Sequence, residues 1–239
     1  MAIPSFYHPR LSGSESSIVL SQEEGLHAVK ARRLKVGRDV RVFNGQGLVG
    51  EAVIAEIERR KVSVDVTLLQ QHDKPNCRPV IATAIPKGDR QKVMLDMLTQ
   101  LGVSEIIPIR CERSITHFND SMASKWQRIM IEACKQSQNP WLPALGDEIK
   151  LLDLINDDGK QFVYTDLSGQ NAETVFTSGQ AQIILIGPEG GFSDAELNAL
   201  IKLNVSTLSL GGHILRTEAA AVAAVSQFNA LSAISKSIG

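Results

Sequence analysis

The chain has 239 residues, 43% of them hydrophobic and 21% charged, with a formal net charge of −1. That balance excludes a disordered or fibrous chain, and so small a charge excludes indiscriminate coating of polyanions. No apolar run reaches the roughly 18 residues that cross a bilayer, and MAIPSFYHPR lacks the basic-then-apolar plan of a signal peptide. Cys77, Cys111 and Cys134 form no CxxC pair. A cytoplasmic protein with no disulfide framework and no metal site is therefore expected.

Residues 1–74 carry 11 Lys+Arg against 9 Asp+Glu, while residues 75–239 carry 14 against 17. Six of the basic side chains fall in KARRLKVGRDVR, residues 30–41, beside a single acid. This first part reads as β-rich. Val40–Phe43 is a short apolar strand, and Val62, Val64 and Val66 alternate with polar residues at the period of a half-buried strand. Asn44-Gly45-Gln46-Gly47 between them carries the Asn-Gly hairpin signal. Gly45 to Gly50 also matches GxGxxG, with Asp65 twenty residues beyond the first glycine. The dinucleotide reading needs a strand–turn–helix setting, and only about eleven residues precede the next strand, so the segment is read as a hairpin. The polar stretch QQHDKPNCRP, residues 70–79, marks a boundary. The predicted domains are 1–74 and 75–239.

The second part alternates strands with helices, which predicts parallel strands joined by crossovers. The strands are Val80–Ile85, Glu105–Ile109, Gln161–Tyr164, Gln182–Ile186 and Thr207–Leu210. A helix over Asp89–Leu101 is expected to bury Val93, Met97, Leu98 and Leu101. Another over Met122–Gln136 is expected to bury Trp126, Ile129, Met130 and Ala133. Ser193-Asp194-Ala195-Glu196 is a capping box opening a third helix. A long Ala-rich helix starts near Thr217, with Thr217 as its N-cap.

GxxxxGK[ST], HExxH and GxSxG are absent, and His117 and His213 are isolated. Two strand ends are rich in glycine. One is Gly187-Pro188-Glu189-Gly190-Gly191; the other is Gly211-Gly212, followed by Ile214-Leu215-Arg216-Thr217-Glu218. Each fits a tight strand-to-helix turn. Each equally fits a loop that holds a ligand by main-chain groups, beyond the carboxyl ends of parallel strands.

These two segments, IGPEGGFS and LRTE, resemble the RsmE family. So do Ile85-Pro-Lys-Gly-Asp-Arg90, Leu101-Gly-Val103 and Cys111-Glu-Arg-Ser114. Phe6-Tyr7-His8-Pro9, His27 to Gly37, Phe43-Asn44-Gly45, Glu132-Ala-Cys134 and Gln136-Ser137 extend the likeness nearly end to end. That family methylates N3 of a uridine in 16S ribosomal RNA and belongs to the SPOUT, or trefoil-knot, methyltransferases.

The resemblance implies an α/β protein. An N-terminal PUA-like β-barrel would precede a trefoil-knotted, parallel-sheet SPOUT methyltransferase domain. It implies S-adenosylmethionine as cofactor, 16S rRNA of the small ribosomal subunit as partner, and a homodimer with RNA at the subunit interface. The implied cofactor-binding residues are Leu185, Gly187, Pro188, Glu189, Gly190, Gly191, Leu210, Gly211, Ile214 and Leu215. A sulfonium donor carries no phosphates, in keeping with glycine loops that lack a lysine. Arg216 is the candidate to stabilise an anionic base, and Glu218 or Glu189 to accept a proton or orient a partner. RNA contacts are expected from Arg10, Lys30, Arg32, Arg33, Lys87, Arg90 and Arg113.

The chain departs from the family pattern in places. Ser5 replaces an Arg, Gly212-His213 replaces Pro-Arg, and Gln138-Asn139 replaces Gly-Arg. Asp96, Met97 and Gln100 replace Gln, Lys and Glu. Several positive charges are lost. A SPOUT enzyme acting on another RNA or base, and an inactive RNA-binding relative, are the alternatives.

Overall fold

The computed structural model describes residues 3–31, 33–59, 61–157, 159–176 and 182–238. The chain divides into two compact units. One comprises residues 1–74 with 131–142, and the other residues 75–130 with 143–239.

The first unit holds β1 (Ser5–Tyr7), β2 (Ser17–Val19), α1 (Gln22–Leu26), β3 (Asp39–Phe43), β4 (Leu48–Glu58) and β5 (Lys61–Gln71). A π-helical turn, His27–Ala31, follows α1. The strand order is β1-β3-β4-β5-β2. β1 pairs with β3 in parallel and the other pairings are antiparallel. Phe6 of β1 and Ile18 of β2, from opposite ends of the ladder, share one core with Val40, Val42, Ile54, Val62 and Val64. The sheet therefore wraps around its own interior.

The 44–47 segment is a hairpin turn, as the Asn-Gly signal predicts. Asn44 Oδ1 accepts from the amides of Gln46 (2.7 Å) and Leu48 (3.1 Å). Gly47 is needed for close approach. A Cβ there would lie 2.4 Å from the Trp141 ring. The GxGxxG pattern thus serves packing within a β-hairpin.

The interior also holds charge. Lys135 Nζ lies 3.0 Å from Glu24, with side-chain exposures of 6% and 9%, and 2.7 Å from Glu132. The ammonium also sits 5.9 Å from the Phe6 ring centroid. Burial pushes the Glu24 carboxyl above its usual range, and Lys135 opposes that rise.

The second unit contains β6 (Val80–Thr83), α2 (Arg90–Gln100), β7 (Glu105–Arg110), α3 (Asp120–Ser137), β8 (Ala144–Leu145), β9 (Ile149–Lys150) and α4 (Leu151–Leu154). The last turns of α3 count with the first unit. Next come β10 (Gln161–Gln170), α5 (Ala172–Val175), β11 (Gln182–Ile186), α6 (Asp194–Lys202), β12 (Ser206–Leu208) and α7 (Thr217–Ile238). The sheet order is β12-β10-β11-β6-β7-β8, with β9 also on β7. Every pairing in it is parallel. All five residues of β11 are buried, as expected for a central strand covered on both faces. α6 opens with both halves of its capping box formed.

One helical face differs from expectation. α2 buries Gln91, Met94, Leu95, Leu98 and Thr99, whereas Val93 and Met97 are 50% and 41% exposed. The reason is a polar anchor: Trp126 Nε1 donates to Gln91 Oε1 at 3.0 Å. Both side chains are buried, which turns the Gln91 stripe inward. Trp126, Met130 and Ala133 of α3 are buried as the spacing predicts, and Ile129 is half-buried. β10 runs six residues past Tyr164, and β12 stops at Leu208.

Removing the cation from the buried pair in the first unit leaves a carboxylate without its main partner. Lys135→Met is expected to cost about 3 kcal/mol at neutral pH, measured by urea denaturation. Folding raises the Glu24 pKa. This group's contribution is therefore full below the unfolded carboxylate range and is lost as pH rises through the folded pKa. The penalty in the variant should accordingly shrink as the pH falls and Glu24 takes up a proton. An equal loss at neutral and acid pH would show that Glu24 is not the group left unpaired.

Candidate active site

The carboxyl ends of β10, β11 and β12 lie side by side, because these three strands are neighbours in one parallel sheet. The turns after β11 and β12, with the outer half of β10, line a cavity of about 530 Å³. That lies within the roughly 300–1,000 Å³ of small-molecule sites. Thr165–Ser168 contribute from within β10, where its register against β12 shifts, Ile186–Phe192 from the end of β11 and its turn, and Leu210, Gly211, His213, Ile214 and Leu215 from the segment after β12. Leu197 of α6 and Thr217 and Ala220 of α7 complete the lining.

Side chains from elsewhere in the unit hold the β11 turn. The Gly191 amide donates to the Pro188 carbonyl at 2.8 Å. Arg113 Nη1 donates to the carbonyls of Gly190 and Phe192, both at 3.0 Å. Glu196 has a double task. One oxygen accepts from the Ser193 amide to close the capping box, and the other accepts from the Glu112 amide, each at 2.8 Å. Ser114 Oγ accepts from the Cys111 amide at 3.0 Å. The CERS segment is thus a clamp on the β11 turn. Its cysteine is no nucleophile, since burial, with Glu196 adding to it, pushes the Cys111 thiol up to about 12.

Thr217 differs from its expected role. Its hydroxyl donates to the Gly187 carbonyl at 3.2 Å, tying the start of α7 to the β11 turn. In the irregular outer half of β10, Asp166 Oδ1 accepts from the Ser168 amide (2.9 Å) and hydroxyl (2.5 Å). Gly169, just beyond, lets β10 and β12 touch. A Cβ there would lie 2.4 Å from the Leu208 carbonyl carbon.

The electrostatics of the wall are one-sided. It contains the carboxylates of Asp166 and Glu189 and the imidazole of His213, and no Lys or Arg. Phosphates would meet repulsion there, whereas a cationic ligand with an apolar body would not. Arg90 pairs with Glu189 at 3.2 Å with both side chains about one-third exposed, a weak surface contact.

Of the sequence-derived cofactor residues, Gly187, Pro188, Glu189, Gly190, Gly191, Leu210, Gly211, Ile214 and Leu215 all line the cavity. Leu185 does not. It is fully buried in the sheet core, one pleat below the turn. Arg216 is exposed and Glu218 half-buried, and neither lines the wall. Glu218 Oε2 is shielded from solvent and has no hydrogen-bond partner among the described residues. Of the expected RNA contacts, Arg10, Lys30, Arg33 and Lys87 are exposed. Arg32 lies outside the described residues. Arg90 and Arg113 contact the β11 turn instead of standing free. The irregular outer half of β10 is the part that sequence reasoning missed. Its signal is the Asp166-Leu-Ser-Gly169 run, turn-type residues that fall within a strand whose register shifts there.

Comparison with known proteins places these features in a family. An RNA methyltransferase domain model matches residues 73–229, and an RNA methyltransferase PUA domain model matches residues 20–67. Ribosomal RNA small subunit methyltransferase E of Rickettsia conorii is 32% identical over 228 residues, covering 90% of this chain and 91% of that protein. The Bacillus subtilis protein of the same name is 29% identical and covers 87% of each chain. Among solved structures, a Legionella pneumophila methyltransferase in complex with its bound cofactor SAM superposes with a TM-score of 0.89. It is 27% identical, with 97% of this chain and 98% of that one covered. An rRNA-methyltransferase from Porphyromonas gingivalis gives a TM-score of 0.86 at 30% identity, covering 97% and 99%.

The β10–β12 contact behind the cavity supplies a direct test. A methyl group at residue 169 has only backbone to push against. Gly169→Ala is therefore expected to cost at least about 1–3 kcal/mol in denaturant unfolding. Wild-type stability in that variant would mean that the two strand ends are not in contact.

Proposed function

This chain belongs to the RsmE family of small-subunit ribosomal RNA methyltransferases, and on that premise we propose that it methylates N3 of a uridine in 16S ribosomal RNA, using S-adenosylmethionine. The observation that carries the cofactor reading is the cavity of about 530 Å³ at three strand ends, walled by main-chain turns with two carboxylates and no Lys or Arg. Such a wall suits a cation with an adenosine body and disfavours a polyphosphate.

Bound there, S-adenosylmethionine supplies an electrophilic methyl group on a positively charged sulfur, which leaves as a neutral thioether. The chain's own groups do the rest. The main-chain amides and carbonyls of residues 187–191 and 210–215 hold the adenosine, and the apolar side chains of Leu197, Ile214 and Leu215 exclude water from it. Asp166 and Glu189 favour the positive charge by their field. Uridine N3 must lose its proton before its lone pair can attack the methyl carbon in line. Glu218 is the proposed acceptor of that proton. It is half-buried at the start of α7, next to Thr217 of the cavity wall. Arg216, exposed two residues before it, is the proposed stabiliser of the anionic base.

The same reading assigns residues 1–74 as the PUA-like RNA-binding domain and residues 75–239 as the methyltransferase domain, with the trefoil threading of the family. Lys30, Arg33 and Arg10 then meet RNA phosphates. It also makes the protein a cytoplasmic homodimer. The half-exposed Val93 and Met97 on α2 offer apolar surface that a second subunit would cover. No helix among the described residues is long and apolar enough to cross a membrane.

Labelled S-adenosylmethionine and small ribosomal subunits provide the test. Digestion of the product should yield N3-methyluridine, and a different labelled nucleoside would overturn the target. Glu218→Ala should lower kcat by about 100-fold or more. Cofactor affinity by calorimetry and unfolding stability should stay close to wild type. Undiminished turnover would make Glu218 a residue of the helix terminus alone.

A further inference from the structure

A second pocket, of about 80 Å³, belongs wholly to the first unit and stands apart from the cavity at the strand ends. Its polar walls include Arg41, Glu51, Gln70 and Gln138, and its apolar walls are Val49 and Leu68. Arg41 of β3 is directly opposite Glu51 of β4, and Glu51 is opposite Leu68 of β5. These three side chains thus form one row across three strands on one face of the sheet.

The row has an unusual charge arrangement. Arg41 and Glu51 are cross-strand neighbours, yet the guanidinium turns to Gln138, with Nη1 donating to Oε1 at 2.6 Å. Arg41 Nε is buried and has no hydrogen-bond partner among the described residues. Gln138 itself sits at φ 58, a left-handed conformation that glycine adopts more cheaply. A non-glycine held in that region and a buried unpaired donor meet at one pocket, a conjunction typical of a binding site.

The chemistry of the walls selects the ligand. A phosphate is disfavoured, because Glu51 stands opposite the cation. The wall offers a planar two-pronged donor at one end and a carboxylate acceptor at the other. Guanine presents the complement on two adjoining edges that meet at O6, with O6 and N7 as acceptors on one and N1–H and N2–H as adjacent donors on the other. Arginine pairs with O6 and N7, and a carboxylate takes both N–H groups. Adenine offers no such pair of adjacent donors. Leu68, 57% exposed beside the row, gives the base face an apolar surface. The volume admits the edge of a base and leaves its sugar outside, so the base must be unpaired. We propose that this pocket captures an unpaired guanine of the RNA substrate. The inference rests on RNA being the substrate of this chain, and is independent of which base is methylated.

The test uses the full-length protein and short, labelled uridine oligomers carrying one central guanine, inosine or adenine, at fixed salt. Fluorescence anisotropy should show guanine bound about tenfold more tightly than adenine, with inosine, which lacks the N2 amino group, in between. Glu51→Gln should erase the gap between guanine and inosine. Arg41→Lys, which keeps the charge and loses the fork, should erase most of the preference for guanine. Thermal unfolding and calorimetric affinity for S-adenosylmethionine should be unchanged in both variants. A wild-type protein that methylates small subunits yet binds the three oligomers equally would overturn the pocket and leave the functional reading standing. An unchanged preference in both variants would also overturn the pocket. A wild-type protein that neither methylates nor binds any oligomer would overturn both.

Discussion

Backbone polar groups that leave the sheet ladder still need partners, and the cavity is built from that need. At the end of β11 the chain cannot continue its ladder, so the carbonyls of Gly187, Gly190 and Phe192 are supplied with donors by side chains. Thr217 serves the first and Arg113 the other two. Glu196 adds acceptors for the amides of Ser193 and Glu112. Three separate stretches, the CERS turn, α6 and the start of α7, are thereby tied to one loop of six residues. Within the loop the Phe192 ring packs against Gly187, where a Cβ would lie 3.3 Å from it. What remains for a ligand is main chain and the edges of apolar residues.

That construction also sorts the charges. Arg113 is positively charged and lies near the cavity, yet its guanidinium is committed to loop carbonyls. Arg90 is committed, more loosely, to Glu189. Neither side chain lines the wall, whose own ionised groups are Asp166 and Glu189. Of the seven basic residues expected to touch RNA, Arg113 is held by the β11 turn and Arg90 makes a weak surface pair with it. The exposed cations Arg10, Lys30 and Arg33 are in the first unit, where the sequence concentrates basic charge. The carboxylates of the cavity wall and these three cations thus belong to different units of the chain.

The legible parts of the fold were those governed by local chemistry. The capping box of α6, the Asn44 turn and the alternation in β5 each depend on a few adjacent residues, and each formed as expected. Both glycine-rich strand ends were visible, because glycine at a strand end has few other uses. What stayed hidden depends on contacts between distant segments. The buried stripe of α2 is chosen by Gln91 meeting Trp126 across 35 positions, which no helical period encodes. Gly169 reads as an ordinary glycine until β12 is laid against it. Leu185 enters only through the family resemblance, and its side chain is enclosed in the core of a central strand buried along its whole length. The tie from Thr217 to Gly187 spans 30 positions, and an N-cap was the only role its neighbours suggested.

The departures from the family pattern take on a physical meaning in this light. Where glycine and arginine are expected after α3, the chain has Gln138 and Asn139. The glycine preference is real, since the backbone at 138 is left-handed. A glutamine there costs roughly 1 kcal/mol more than glycine, and its side chain returns part of that through a short charge-assisted bond to Arg41. Asn139 is used locally, its Oδ1 accepting from the Trp141 amide at 3.0 Å. Trp141 is the ring that packs on Gly47 of the hairpin. The exchange removes one arginine from position 139 and fixes the guanidinium of another, Arg41, beside it. Counting lost positive charges alone therefore overstates what this chain gives up. A mobile cation contributes affinity to any phosphate, whereas a guanidinium held in place by a neighbour contributes geometry. On the proposed reading of the pocket, the Gln138-Asn139 pair exchanges a general attraction for RNA for a fixed donor on the sheet face, and a fixed donor is what reading a base requires.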